Sequence, residues 1–237
     1  MAQQAMTKSG RGFQQLAGLS AILLAAFVVG NVLTLFASLG NDPAAFSDAP
    51  LLLSMDAARA RLFHMSMVLD VLAYLAFAPI AVFCWLWLRR RGQGSVALFT
   101  FGGLAYSLLG ALGGVVVDAV IPMLAADYTG ASVTLRETLV VAARTAHQAV
   151  AHGVWNPLEV LLVSVWFIGV GLSIRHDKRG LGYLALLVGL LGLLDPIGWA
   201  LGNHTILDIG ALSTVLILVW SLWFGTDVLR GPLLIGE

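Results

Sequence analysis

Six apolar stretches, near 14–39, 61–88, 96–125, 141–174, 181–202 and 205–229, dominate this chain. Each is long enough to cross a hydrocarbon core of roughly 30 Å, which takes about 20 helical residues. Such a pattern leaves few folding options, because in lipid the backbone amides must be satisfied inside each helix or in a closed barrel. Connections between the stretches are short. The expected fold is therefore all-α: a polytopic bundle of six transmembrane helices forming one domain over 14–230, with a cytoplasmic N-terminal tail at 1–13 and a C-terminal tail at 231–237. Of 237 residues 59% are hydrophobic and only 11% charged, a balance far from that of soluble domains. Net charge is zero, and with no basic run a nucleic-acid partner is not expected. The single cysteine, Cys84, lies within the second stretch, so no disulfide framework exists. Met1 to Gln15, with Lys8 and Arg11, looks like the start of a signal peptide. The apolar run from Leu16, however, extends for about 25 residues where a signal h-region has roughly 7–15, so it reads as a retained first helix.

Orientation follows from the basic residues. Lys8, Arg11, Arg89, Arg90, Arg91, Arg175, Lys178, Arg179 and Arg230 fall on the side of the termini, against Arg59, Arg61, Arg136 and Arg144 on the other. Nine against four predicts both termini inside by the positive-inside rule. The expectation is a multi-pass protein of the inner (plasma) membrane, surrounded by membrane lipids.

Five carboxylates interrupt these stretches: Asp70, Asp118, Glu159, Asp195 and Asp208. An ionised group at a helix centre costs about 2.5–3.5 kcal/mol or more, which makes each a candidate functional residue. All five fall in the outer half of the bundle. Asp70 lies about 13 Å below the outer end of its helix at 1.5 Å per residue, and Glu159 is deepest, near mid-membrane. His64, His147, His152, Asn203 and His204 are also on the outer side, while the inner halves read as plain Leu/Val/Ala/Trp helix. That asymmetry predicts a cavity opening outward, with Glu159, His152, Asp195, Asp118 and Asp208 as the candidate catalytic groups.

The fourth stretch carries the densest pattern. Arg144, Gln148, His152, Trp155, Asn156 and Glu159 share about a 120° arc at 100° per residue, and Pro157 is expected to kink the helix beside them. Its start, around Val133 to Ala146, should project past the outer surface or lie along it. Small-residue stripes, Gly103, Ser107, Gly110 and Gly114 on the third helix and Gly182, Ala185, Gly189 and Gly192 on the fifth, mark close helix contacts. They aim the adjoining Asp118 and Asp195 into the bundle. Asp70 and Tyr74, at i and i+4, are placed to share a hydrogen bond, whereas His64 reads as an ordinary interfacial histidine. Asn156, Trp155, Gln148, Asp70, Tyr74 and Trp199 are the candidate substrate-binding residues. His204, one turn before Asp208, and His147 are the candidate metal ligands. Neither His-Glu-x-x-His nor His-x-x-x-His occurs, so the sequence requires no cofactor. Asn203 or Thr205 serves equally as a helix cap.

The first helix Gln15–Leu39, the basic turn Trp87–Arg91 leading into Ala97–Gly114, the run Arg179-Gly-Leu-Gly-Tyr-Leu-Ala-Leu-Leu and Leu216–Trp223 together resemble an uncharacterised group of six-helix bacterial membrane proteins, domain of unknown function 4386. The resemblance implies the six-helix fold over most of the chain and supplies no catalytic residues.

Three function classes are compatible with the pattern. The first binds or converts a small lipid-soluble substrate by acid–base or metal-assisted chemistry, as an isomerase, cyclase or hydrolase does. The second is a structural or accessory subunit whose polar core specifies packing. The third is a proton-coupled transporter, which the apolar inner halves and the lack of an inverted repeat disfavour. A pocket closed at the inner end separates the first from the third, and a filled polar core marks the second.

Overall fold

The computed structural model describes residues 2–89 and 95–231, and among these all regular structure is helical. The basic turn at Arg90 and Arg91, the side chain of Lys8 and the tail from 232 lie outside what is described. Six helical stretches are long and apolar enough to cross a membrane, as expected. They are α1 (Ala2–Ser38), α3 (Ala57–Leu88), α4 (Val96–Tyr128), the run α5 (Val133–Gln148) through α6 (Val160–Ile174), the pair α7 (Arg179–Gly192) and α8 (Leu194–Leu201), and α9 (His204–Arg230). A short α2 (Ala49–Leu53) sits in the α1–α3 connection. Large apolar side chains such as Leu33, Leu75, Phe101, Leu108 and Leu212 point outward, as a lipid-facing surface requires.

Starts and stops are local chemistry. Asp48 caps α2 by accepting from Leu51 N, and Asp56 caps α3 by accepting from the amides of Arg59 and Ala58 at 3.0 and 2.8 Å. Those two bonds hold the Asp56 carboxyl below the usual carboxylate range. Asn203 caps α9 through Ile206 N. Gly202, at φ 61°, ends α8 in the left-handed region that glycine tolerates best.

The fourth stretch departs from the simple kink. Between α5 and α6, residues Ala149–Glu159 wind as a π-helix containing Pro157. The i→i+5 pattern is wider than an α-helix, so the missing proline N–H is absorbed without breaking the rod. Each residue there advances less than 100°, and the six-residue ladder unwinds. Arg144, Gln148 and His152 are exposed, Trp155 and Asn156 are half-buried, and only Glu159 is buried.

Both small-residue stripes are packing surfaces. Gly103 and Gly110 take the rings of Trp166 and Tyr74, while Gly189 lies against the Ser164 carbonyl. Two apolar cores result. Toward the termini, Phe77, Trp166, Phe167, Trp220 and Phe224 form a mostly edge-to-face aromatic cluster with centroids 4.6–6.3 Å apart. At the opposite end Leu52, Leu53, Phe63, Val117, Ile121 and Leu139 form the second.

A Cβ at Gly189 would sit 2.7 Å from Ser164 O and 2.6 Å from Ile168 Cγ1, whereas one at Gly12 meets nothing within 4 Å. Gly189→Ala should therefore destabilise by about 1–3 kcal/mol through overpacking, and Gly12→Ala, at an exposed helical position with open space, should raise stability by up to about 1 kcal/mol. Thermal or denaturant unfolding in detergent measures the difference.

Candidate functional site

Between the two cores lies a polar layer built around a cavity of about 200 Å³. Its polar lining comes from Asn31 on α1, Asp70 and Tyr74 on α3, Tyr106 on α4, Glu159 at the end of the π-helical segment, and Ser213 and Thr214 on α9. Asn31 Nδ2 donates to Asp70 Oδ1 at 2.8 Å, joining α1 to α3. Tyr74 donates its hydroxyl to Glu159 Oε1 at 2.7 Å, joining α3 to the π-helical segment. Glu159 is 5% exposed, and its second oxygen, Oε2, has no hydrogen-bond partner.

The tyrosine is placed by its neighbours. Ser107 Oγ donates to the Tyr74 carbonyl, and Gly110 leaves the space that the Tyr74 ring occupies, since a Cβ there would overlap it. Tyr106 stacks edge-on against Tyr74 at 5.1 Å and against Phe77 at 4.9 Å. Phe77 then contacts Trp166 and Phe167. The cavity is thus floored toward the termini by packed aromatic rings.

Of the five groups expected to converge, this cavity takes Glu159 alone. Asp118 turns to α3, where its oxygens lie 2.8 and 2.9 Å from Nδ1 of the exposed His64. The glycine stripe that was expected to aim it inward is filled by α3 and α6 side chains. His64 is accordingly a hydrogen-bond partner of Asp118 rather than a solitary interfacial residue. His152 is exposed because the π-helical winding turns it out. Asp195 is half-buried in the first turn of α8, with its backbone against Gly210 of α9, and Asp208 is exposed near the start of α9.

Among the substrate-binding candidates, Asp70 and Tyr74 line the cavity but do not bond each other, because Asn31 and Glu159 engage them instead. Trp155 donates to the Gly110 carbonyl at 3.3 Å with its ring over Gly113 of α4. Asn156 is half-buried, Gln148 is exposed and Trp199 is 49% exposed, and none of these lines the cavity. Nor do the metal candidates meet. His204 is exposed, and His147 is buried edge-on to Phe46 with centroids 4.5 Å apart. Among the described residues no cluster of three or more His, Cys, Asp or Glu side chains could hold a metal.

Asn31, Tyr106 and Ser213 were missed by the sequence reading. Asn31 carried a signal, being the one amide in the first apolar stretch beyond Gln15. Tyr106 and Ser213 are indistinguishable in sequence from ordinary helix residues. No protein-family model, curated protein or solved structure matches this chain.

A hydrogen bond to a carboxyl group away from bulk water contributes about 1.5–3 kcal/mol when its acceptor is charged. A double-mutant cycle of Tyr74→Phe and Glu159→Leu, each of which removes the bond, should return a coupling of about 1–3 kcal/mol in unfolding free energy. The same cycle on the exposed His64–Asp118 pair should return less than about 1 kcal/mol.

Proposed function

We propose that this multi-pass protein binds a small lipid-soluble substrate in the Asp70–Glu159 cavity and acts on it by acid–base chemistry. The observation that carries the reading is Glu159: buried at the wall of a 200 Å³ cavity, held through one oxygen by Tyr74, with the other oxygen unpartnered. A carboxyl oriented by a phenol is equipped to give or take a proton at Oε2, a role worth roughly 10²–10⁴-fold in rate. Asp70, steadied by Asn31, supplies a second acid in the cavity lining. Tyr106 and Ser213 are positioned to orient the substrate. The aromatic floor supports a site accessible from one end over a transport path running through the bundle.

A scaffold role is the second reading, favoured by the fact that both hydrogen bonds, Asn31–Asp70 and Tyr74–Glu159, cross between helical elements. Glu159→Gln separates the two. Gln keeps shape and hydrogen bonding, so a ligand site should lose a bound small-molecule mass in native mass spectrometry while its melting temperature stays close to that of the original protein. A scaffold should show the same bound masses and melting temperature in Glu159→Gln, and a lowered melting temperature only in Glu159→Leu, which removes the cross-link to Tyr74.

The nine-to-four basic asymmetry supports placing both termini in the cytoplasm of a cell whose plasma membrane houses the protein. A cysteine introduced at position 93 on a Cys84→Ala background should then resist impermeant thiol reagents added outside intact cells. Labelling from outside would reverse the orientation.

A further inference from the structure

The class of ligand can be read from what the cavity lacks, an argument that rests on the reading of that cavity as a ligand site. Two carboxylic acids line it, and no Lys, Arg or His is among its lining side chains. The side-chain donors of Asn31 and Tyr74 are already engaged by Asp70 and Glu159. Two fully buried polar atoms of this layer have no partner, Asn31 Oδ1 and, in the ionised acid, the acceptor Glu159 Oε2, while the lining hydroxyls of Tyr106, Ser213 and Thr214 can donate or accept. A buried acceptor without a donor is costly, so the complementary occupant brings N–H groups and positive charge. The rings of Tyr74 and Tyr106, edge-to-face at 5.1 Å, add the π faces that attract ammonium groups. At about 30 Å³ per water-sized volume, the cavity holds an ammonium head with a few carbons and excludes a whole lipid.

The rest of such a molecule has a place to go. Helices α1 and α9 meet backbone to backbone near the termini, where a Cβ at Gly225 would lie 2.7 Å from Gly18 O. Farther along the same seam an open surface groove is lined almost entirely by apolar side chains, including the exposed Val29 and Leu33 of α1 and Val215 and Leu222 of α9. Leu218 belongs to both linings, so cavity and groove adjoin at that side chain. We infer that the ligand is an amphiphilic amine, its ammonium head between Asp70, Glu159 and the two tyrosine rings and its alkyl chain passing Leu218 into the α1–α9 groove.

The test uses the purified full chain in lipid nanodiscs with octylammonium, octanol and octanoate as probes, read by titration calorimetry and by melting temperature. Octylammonium should bind saturably, and Asp70→Asn and Glu159→Gln should each weaken it at least tenfold. Leu218→Trp should weaken octylammonium while leaving the shorter ethylammonium unchanged. If a neutralised variant fails to fold, Tyr106→Leu, which removes a π face and no charge, should weaken octylammonium several-fold and leave octanol unaffected. Octanol or octanoate binding as tightly as octylammonium, with the same dependence on Glu159, would overturn the amine class while leaving the ligand site standing. Equal uptake of octylammonium by the original protein and the Asp70→Asn/Glu159→Gln double variant would overturn the inference outright. So would no saturable binding of octylammonium, and the ligand-site reading would then stand or fall separately on the co-purified mass lost in Glu159→Gln.

Discussion

Tyr74 reaching Glu159 is the contact on which the rest of the polar layer depends. The bond spans from α3 to the π-helical segment, and the ring can make that reach only because α4 is pared to glycine at Gly110. Ser107, one turn earlier on α4, holds the Tyr74 backbone from the same side. Three helical elements are therefore fixed relative to one another by a single phenol. Since apolar helices gain little from contacting each other rather than lipid tails, close packing and a few such bonds carry much of the specificity of a bundle. The cavity is the space left on the other side of that ring, and its shape follows from the ring's placement.

The π-helical winding of Ala149–Glu159 belongs to the same arrangement. An α-helical continuation from α5 would have carried His152, Asn156 and Glu159 on one face and brought a histidine toward the bundle. Wider winding separates them, exposing His152 and burying Glu159. The acid therefore meets a phenol rather than an imidazole, and the layer is built from carboxyl, amide and hydroxyl groups. That composition moves the chemistry away from metal ligation and toward proton handling and hydrogen bonding.

How much of this was legible in the sequence depends on which interaction set each feature. The helices were legible because their cause is local: long apolar runs that must satisfy their own backbone, caps at Asp48, Asp56 and Asn203, and glycine stripes at i, i+4 and i+7. Glu159, Asp70 and Tyr74 were legible as unusual residues in apolar surroundings. Their partners were not. Tyr74 has Asp70 one turn away on the same helix and Glu159 85 residues away, and only the packing of α3 across Gly110 decides between them. Asp118 was misread for a related reason: the stripe it continues faces helices on two sides, and its exposed neighbour His64 captures it. The helix-four ladder failed because an α-helical phase was assumed through a proline that the chain accommodates by changing its winding.

The way the chain treats its other acids bears on what the central ones are for. Asp118 lies against His64, and Asp227 on α9 meets Lys178 at 3.0 Å. Asp48 and Asp56 are occupied in capping helices. Each of these carboxylates has a basic side chain or backbone amides beside it, the ordinary solution for an acid kept for structure. Asp70 and Glu159 are treated differently. One receives an amide and the other a phenol, neither receives a cation, and an oxygen of Glu159 is left without any donor. If cross-linking helices were their only task, a neutral Asn or Gln would make the same hydrogen bonds without the expense of an acid away from water. The use of acids where amides suffice for packing, at the wall of a cavity, is the physical reason to look for a ligand that needs them.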